Sequence, residues 1–435
     1  MKKIILSIAI LIGFSAAIKA QNVNIPDANF KAFLVGDATI NTNSDTEIQV
    51  SEASAYNGTI NCSSQNISDL TGIETFVNLT ELDCGNNSLT SLNLSANTAL
   101  TVLSCYTNSL YSLDVSANNA LSILYCFNNT IGDLNINACT ALTHLYCGGN
   151  SLTNLDIATN TALIELTCDN NSLTNLNVSA NTALTSLSCN RNSIGSLNVT
   201  TNTALNTLNC NNNSLNSLNI ATNTALTNLD CSYNSLSNLD ASTNSSLIGI
   251  DCSMNSINSL NITSCTALIY LYCAQNSIPG LDISAVTALL SLDCSYNSLI
   301  SLNVANGNNT NLTYFVANAN PNLTCIQVDD VAYSQTNWTY IDATASFSTN
   351  CGASVDNNII NNLNIYPNPT KNTLNIDTSN SFTTIKLFDI SGKMLKTFNP
   401  ENRSLNVADL KAGIYFLKLI DATKQINLTR IIQKL

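Results

Sequence analysis

Eleven cysteines recur at a constant interval of twenty-one residues in this 435-residue chain. Such a series could form disulfides, which are common in proteins that leave the cytoplasm, or could bind a metal as thiolates. Equivalent side chains on stacked parallel strands stay about 4.8 Å apart, which exceeds the roughly 3.8 Å between the Cβ atoms of a disulfide. The pattern therefore predicts free, buried thiols that pack as small hydrophobic groups. The series consists of Cys84, Cys105, Cys126, Cys147, Cys168, Cys189, Cys210, Cys231, Cys252, Cys273 and Cys294.

The other candidates for catalysis are the single histidine, His144, and acidic residues such as Asp230 and Asp251. No nucleophile elbow, zinc-protease motif or phosphate-binding loop accompanies them. Asp230 and Asp251 lie one period apart, and a glycosidase needs two carboxyl groups about 5 to 9.5 Å apart. A regular repeat structure is expected to lack the pocket that would desolvate one of these acids. The sequence therefore favours a protein that is not an enzyme, and polysaccharide hydrolysis is the third hypothesis.

The segment NTNSDTEIQVSE, residues 41 to 52, resembles the calcium-binding loop of an EF-hand. Asn41, Asn43, Asp45 and Glu52 stand at its first, third, fifth and twelfth positions, where the motif places oxygen ligands. The segment departs from the motif because Asn41 replaces the usual Asp and Thr46 replaces the Gly of the turn. It is therefore either a weak calcium site or a plain capping turn, and no other cofactor is expected.

Most of the chain repeats the unit L-x-x-L-x-C-x-x-N-x-L-x-x-L-x-[LIV]-x-x-N-x-x, and a period of this length is typical of a solenoid. The alternation in the first half predicts a short strand, with Leu82 and Cys84 pointing into the coil. An Asn follows three residues after each cysteine, and stacked Asn side chains offer a donor and an acceptor to the turning backbone. We predict a structural ladder of Asn87, Asn108, Asn129, Asn150, Asn171, Asn192, Asn213, Asn234, Asn255, Asn276 and Asn297.

This unit resembles the short, 21-residue bacterial type of leucine-rich repeat. The resemblance implies a mainly β fold with a solenoid of about 13 coils over residues 61–324. One unit cannot bury its own apolar ring, whereas stacked neighbours can. The repeats are therefore expected to form one continuous core.

The outward positions around the cysteine strands are mostly Ser, Asn, Thr or Asp, but two groups are aromatic or apolar. Exposed aromatic clusters are usual at recognition surfaces, and aromatic rings also stack on sugars, so we predict binding of a protein or glycan ligand. In the alternative, the rings only stabilise neighbouring strands of a structural surface component without a specific ligand. The first group is Val102, Tyr106, Ile123, Tyr125, Phe127, His144 and Tyr146, and the second is Tyr270 and Tyr272, with Tyr233 and Tyr296 one residue beyond the strand positions.

A solenoid exposes its core at both ends and needs a cap at each. Residues 21–60 are expected to form the N-terminal cap and include the EF-hand-like loop. Within them, residues 25–36 predict a short amphipathic helix with Phe30, Phe33 and Leu34 on one face. This helix would cover the first coil.

Residues 325–351 do not repeat, and they contain the only tryptophan of the chain. Cys325 and Cys351 bracket this segment and stand outside the periodic series. We therefore predict a C-terminal cap that is closed by a disulfide between these two cysteines.

After an Asn-rich linker at residues 352–362, residues 363–435 alternate apolar and polar positions between turn residues, which predicts an Ig-like β-sandwich. This segment resembles the C-terminal sorting domain of the bacterial type IX secretion system, with its markers Pro367, Asn368, Pro369, Gly392, Gly413 and Tyr415. The resemblance implies recognition by the secretion machinery and passage across the outer membrane of a Gram-negative bacterium. The protein is then expected to be secreted or held at the cell surface.

The first twenty residues follow the plan of a cleaved secretory signal peptide, with Lys2 and Lys3 before a short apolar run and small residues up to Ala20. No later apolar stretch is long enough to span a bilayer, so membrane insertion is not expected. Residues 62–351 carry seventeen Asp and Glu but only one basic residue, Arg191. Because binding to a phosphate backbone requires clustered Lys and Arg, this composition argues against a nucleic-acid partner.

Overall fold

The chain is described by a computed structural model and divides into two compact units after Phe347. The predicted signal peptide, residues 1–20, and the predicted linker, residues 352–362, lie outside the described residues. Those residues are 21–351, 363–378, 382–390, 392–421 and 426–435.

The first unit is a β-solenoid of about 14 turns. Successive turns each contribute one short strand to a single parallel sheet, and neighbouring strands pair one period apart, so that Leu208 lies between Leu187 and Leu229. The predicted stacking in register is therefore confirmed. The strands of this sheet are Thr59–Asn61, Glu81–Asp83, Val102–Ser104, Ile123–Tyr125, His144–Tyr146, Glu165–Thr167, Ser186–Ser188, Thr207–Asn209, Asn228–Asp230, Gly249–Asp251, Tyr270–Tyr272, Ser291–Asp293 and Tyr314–Val316.

Inward Leu and Cys side chains of these strands form the core of the solenoid. Leu187 and Cys189 are fully buried, and each stacks on its equivalents in the neighbouring coils. All the cysteines from Cys62 to Cys294 are free and buried, which confirms the predicted file of thiols. Burial raises the pKa of Cys62 and Cys189 to about 12, so these thiols are neutral packing groups.

The second half of several units forms a strand on the opposite wall of the coil. These strands pair in parallel with the same half of a neighbouring unit, again one period apart. They belong to three small sheets, which consist of Leu113–Asp114 with Leu134–Asn135, of Asn238–Asp240 with Ser259–Asn261, and of Gly280–Asp282, Ser301–Asn303, Cys325–Gln327 and Ser346–Ser348.

Two helices, α1 (Ala28–Gly36) and α2 (Val50–Ala55), form the N-terminal end. Phe30 and Leu34 of α1 are fully buried in the solenoid core, while Phe33 packs against it and is partly buried. Asp27 caps α1 by accepting hydrogen bonds from the backbone of Asn29 and Phe30 at 2.9 and 3.0 Å. Its other oxygen accepts from Ser68 N at 2.8 Å, which ties the helix to the coil that begins with the strand Thr59–Asn61.

The C-terminal end is covered by α3 (Val331–Asn337) and by Trp338, which is 3 % exposed. The indole ring stacks on Phe315 at 4.3 Å between ring centroids, and its Nε1 donates to the Leu312 carbonyl at 3.1 Å. Cys325 and Cys351 are disulfide-bonded, and all the other cysteines are free, which leaves these two as partners of each other. The aromatic side chains thus continue the core where the repeat stops.

The second unit consists of two antiparallel sheets around its own core, consistent with a sandwich. Leu374, Ile385 and Leu417 are fully buried in this core. Tyr415 donates its hydroxyl hydrogen to the Lys411 carbonyl at 2.8 Å, which fixes the start of one long strand. The first sheet contains Asn364–Tyr366, Thr373–Asp377 and Ser404–Asn406, and the second contains Met394–Phe398, Thr384–Phe388, Gly413–Asp421 and Ile426–Lys434.

Candidate recognition surface

The first aromatic group is continuous on the outward face of the long parallel sheet. We call it the aromatic patch: Val102, Tyr106, Ile123, Tyr125, Phe127, His144 and Tyr146. The rings of Tyr125 and Tyr146 stack with centroids 4.7 Å apart and planes 10° apart. Tyr106 and Phe127 stack in the same way at 4.9 Å and 8°. In-register strands thus bring together residues from three coils.

The side chains of the aromatic patch are half-buried against one another rather than fully exposed. Burial and the neighbouring Glu165 carboxylate raise the pKa of Tyr146, so its hydroxyl stays neutral and can donate a hydrogen bond. His144 Nδ1 lies 2.9 Å from the hydroxyl of Thr143, the residue before it. The patch therefore offers flat apolar rings with polar groups at its edge.

Tyr270 and Tyr272 of the second aromatic group border a hollow of about 310 Å³ in the same face, five strands further along the sheet. The hollow exists because Gly249 has no side chain at the position that Asn228 and Tyr270 occupy on the adjacent strands. Tyr270 is 46 % exposed at its border. The expectation that this face lacks a pocket was wrong, because Gly249 leaves one outward position of the sheet without a side chain.

Carboxylates stand in one column beside this hollow. Asp230, Asp251, Tyr272 and Asp293 are neighbours on successive strands. Asp230 accepts a hydrogen bond from Asn211 Nδ2 at 2.5 Å. Burial raises the pKa of Asp251, the charges of Asp230 and Asp293 add to this rise, and hydrogen bonds from Ser253 oppose it. Negative charge is thus concentrated at the border of an apolar depression.

Tyr314 is a surface residue that the sequence analysis missed. It is 49 % exposed, and its ring meets that of Tyr272 edge-on at 6.5 Å and 89°. Its strand follows a step of twenty-three residues, from Leu292 to Phe315, which hid it from the 21-residue period. Aligning Phe315 with Leu292, the inward residue of the preceding strand, would have placed Tyr314 at an outward position.

Tyr233 and Tyr296 lie beyond the ends of the strands, unlike Tyr270 and Tyr272 of the second aromatic group. Both have a left-handed backbone, with φ of 53° and 52°, and both are more than half exposed. They occupy the tight corner that follows each strand, and they do not line the hollow.

Residues 364–434 match the family described as the secretion system C-terminal sorting domain. They are a type IX sorting domain. The chain also resembles the functional domain of InlJ from Listeria monocytogenes, which includes a cysteine ladder. The identity is 27 %, the TM-score is 0.63, and the match covers 95 % of this chain and 98 % of that one. The solenoid therefore has a leucine-rich-repeat fold.

An internalin (inlF) from Listeria monocytogenes is a second structural neighbour, with 19 % identity and a TM-score of 0.51. It covers 75 % of this chain and 98 % of its own, and at this identity it supports the fold alone. No curated protein matches the sequence at a significant level.

The sorting domain marks the chain for secretion or attachment to the cell surface. Among its predicted markers, Asn368 has a clear structural role. Its Nδ2 donates to the Ile431 carbonyl at 2.8 Å, and its Oδ1 accepts from Gln433 N at 2.8 Å. Within the described residues, no helix has the length and apolar character needed to cross a membrane.

The EF-hand-like loop precedes the leucine-rich repeats, and its polar groups bind one another. Glu52 accepts hydrogen bonds from Thr42 N and Gln49 N at 2.8 and 3.0 Å, the latter as part of a capping box at α2. Asp45 accepts from Asn43 Nδ2 at 3.1 Å. Among the described residues, no group of three or more His, Cys, Asp or Glu has the arrangement of a metal site. Glu52 thus caps α2, while Asn41 Oδ1 is buried in the loop without a hydrogen-bond partner in the described chain.

Proposed function

We propose that the leucine-rich-repeat solenoid is a recognition protein that is exported to the exterior of a Gram-negative cell and is not an enzyme. The sorting domain delivers it, and the outward strand face binds a protein or glycan. The observation that carries this proposal is the aromatic patch, in which stacked, half-buried rings from three coils form one apolar surface. Such clusters of Tyr, Phe and His with polar edges are typical of recognition sites.

A direct test replaces Tyr125, Phe127 and Tyr146 together by Ser. Binding to a glycan array and to a labelled extract of cell-surface proteins should fall by at least about tenfold, since each buried aromatic anchor commonly contributes 1 kcal/mol or more. The matched control replaces Tyr111, Tyr233 and Tyr296, which are exposed and lie outside the patch, by Ser. This control should bind as the native protein does.

Thermal unfolding of the same two variants separates recognition from a purely structural role. Stacked aromatic pairs are worth about 0.5 to 1.5 kcal/mol each beyond their area. If the patch variant keeps every ligand and only its melting temperature falls, the rings act as a structural stack and the recognition proposal is wrong.

The loop from Asn41 to Glu52 supplies a second, smaller proposal, a weak calcium site. The buried and unpartnered Asn41 Oδ1 favours it, because calcium prefers carbonyl and carboxylate oxygens. Binding would require Asp45 and Glu52 to exchange backbone partners for the ion. Calorimetric titration of calcium into native protein and into an Asp45→Ala variant tests this, and equal heats from the two would reject the site.

A further inference from the structure

The backbone of the strand does not require a glycine at position 249. A Cβ atom added at Gly249 would meet its nearest neighbour, Asn228 Oδ1, at 3.4 Å, which is ordinary van der Waals contact. Glycine inside a strand weakens it and often marks a place where another molecule approaches closely. The missing side chain leaves a depression of about 310 Å³, at the small end of ligand pockets, where a single side chain fits better than an oligosaccharide.

The groups around the hollow have two complementary chemistries. Tyr270 and Tyr272 present aromatic rings, which attract cations and planar groups. Asp230 and Asp251 also line it and present carboxylates on neighbouring strands. A pocket with both features suits a cation that is also flat.

The charge of these carboxylates is not balanced within the solenoid. Neither Asp230 nor Asp251 belongs to an ion pair in the described part of the chain, where the ion pairs are Lys31–Glu47 and Lys396–Asp409. Asp293 extends the same column, and Arg191 is the only Lys or Arg between positions 62 and 351. Burial already raises the pKa of Asp251, so a nearby cation would stabilise its charged form.

We propose that this hollow is a subsite for an arginine side chain of a protein partner. The guanidinium group is planar and always charged, stacks on tyrosine and binds a carboxylate through two hydrogen bonds. A sugar ring could also stack on Tyr270 or Tyr272, but it would leave the two carboxylates without a counter-charge. The inference deepens the proposed recognition function, and it concerns a part of the sheet separate from the aromatic patch.

Saturation-transfer NMR with the purified full-length protein tests the subsite. The probes are a capped Gly-Arg-Gly peptide, the same peptide with citrulline in place of arginine, and maltotriose. Citrulline keeps the shape of arginine but has no charge. We expect saturable binding of the arginine peptide and at least about tenfold weaker binding of the citrulline peptide.

Two variants locate the binding site. Gly249→Tyr fills the hollow, and Asp251→Asn removes one carboxylate, so each should weaken arginine binding at least about tenfold. Gly195→Tyr is the matched control, because Gly195 is exposed with open space around its Cβ position and lies outside the hollow. This control should bind as the native protein does.

Three results would overturn the inference. They are equal binding of the arginine and citrulline peptides, no saturable binding of arginine at about 10 mM, and arginine binding that survives Gly249→Tyr. If maltotriose binds and Gly249→Tyr abolishes its binding, the hollow is a sugar subsite instead. The Ser variants of the aromatic patch should leave arginine binding unchanged, so failure here is distinguishable from failure of the proposed function.

Discussion

Two columns of asparagine run along the solenoid, and they use their amide groups differently. In the first column, which follows the cysteines, both ends of the amide are bonded. Asn192 Nδ2 donates to the Cys168 and Cys189 carbonyls at 3.0 and 3.1 Å, and its Oδ1 accepts from Leu173 N at 2.9 Å. The predicted ladder of donors and acceptors is therefore confirmed, and Asn320 extends it into the last turn.

In the second column, Asn181 shows that the side-chain amide donates hydrogen bonds but accepts none. Asn181 Nδ2 donates to the Ile157 and Asn160 carbonyls at 3.0 and 2.8 Å. Its Oδ1 is buried and has no hydrogen-bond partner among the described residues. The members of this column are fully buried: Asn97, Asn118, Asn160, Asn181, Asn202, Asn223 and Asn244.

This difference explains where cysteine replaces asparagine. Cys139 and Cys265 stand in the second column, and Cys139 Sγ lies 3.6 Å from the carbonyls of Val115 and Asn118, the same pair that an Asn would bind. A thiol is a weak donor with one hydrogen, so it can partly replace the side-chain hydrogen bonds that the second column donates. It could not supply the acceptor that the first column needs.

The largest expected effect comes from deprotonating the buried thiols of the periodic cysteines. The backbone carbonyls of these cysteines accept the hydrogen bonds of the first column. Burial raises the pKa of Cys189 to about 12 in the folded state, from an unfolded value near 9.0. Its contribution to stability is therefore complete below pH 9 and is lost as pH rises towards the folded value, at about 1.4 kcal/mol per pH unit for each such thiol. With all the periodic thiols acting together, urea unfolding should show a steep loss of stability as the pH rises above 9. Cys189→Ala should reduce that slope by one thiol's share, and a midpoint that stays constant to pH 10 would contradict the explanation.

Next in size is the loss of one first-column amide. Asn192→Ala leaves the Leu173 N–H without a partner and removes one of the two amide donors to each cysteine carbonyl that Asn192 binds. We expect a loss of about 2 to 3 kcal/mol in urea unfolding. Asn175→Ala in the preceding coil is the control, because Asn175 is exposed, and its effect should stay within about 0.5 kcal/mol. Equal losses of unfolding free energy for the two variants would show that the first column contributes no more to stability than an exposed Asn does.

The second column should tolerate the exchange that the first does not. Asn181→Cys keeps one weak donor beside the two carbonyls and removes an unpartnered oxygen, so its cost should be below about 1 kcal/mol. Asn192→Cys removes a bonded acceptor and should cost about 2 kcal/mol or more. The two variants have the same chemistry, and the comparison between the columns fails if their unfolding midpoints shift equally.

The smallest effect concerns the corner that precedes each first-column Asn. Thr107 has a left-handed backbone with φ of 51°, which is unfavourable for a β-branched residue, whereas Asn86 and Asn128 occupy the same corner on adjacent coils. Thr107→Asn should stabilise the protein by about 0.5 to 1 kcal/mol, and Asn128→Thr should destabilise it by a similar amount. A thermal melt of each variant checks the two signs.

The period predicted most of the solenoid, because stacking in register depends only on spacing. The inward position of Leu187 and Cys189 and the two-ended bonding of Asn192 follow from that spacing. The unpartnered oxygen of Asn181 does not follow from the spacing, because it depends on which donors lie within hydrogen-bond distance of the buried side chain. Tyr314 was missed because an insertion shifted its strand.

The candidate site was predictable where it consists of neighbours in one register, as Tyr125 and Tyr146 are. The hollow was not, because it arises from an absent side chain at Gly249 together with tyrosines on the next strand. The sequence pattern gives the residue type at each position. A depression depends on the sizes of side chains that are adjacent only in the folded sheet. The sorting domain was recognised by its markers, but the bonds between Asn368 and the last strand required coordinates.

Trp338 and the residues after it determine more than the stability of one end. Ala317 N donates to the Tyr340 carbonyl at 2.8 Å, and Val316 pairs with Tyr340, so the final edge of the long sheet already has a partner. A solenoid with such uniform coils cannot distinguish its own next coil from the first coil of another molecule. The tryptophan cap therefore closes this edge, and without it the last strand of the long sheet would be open to pairing with a strand of another molecule.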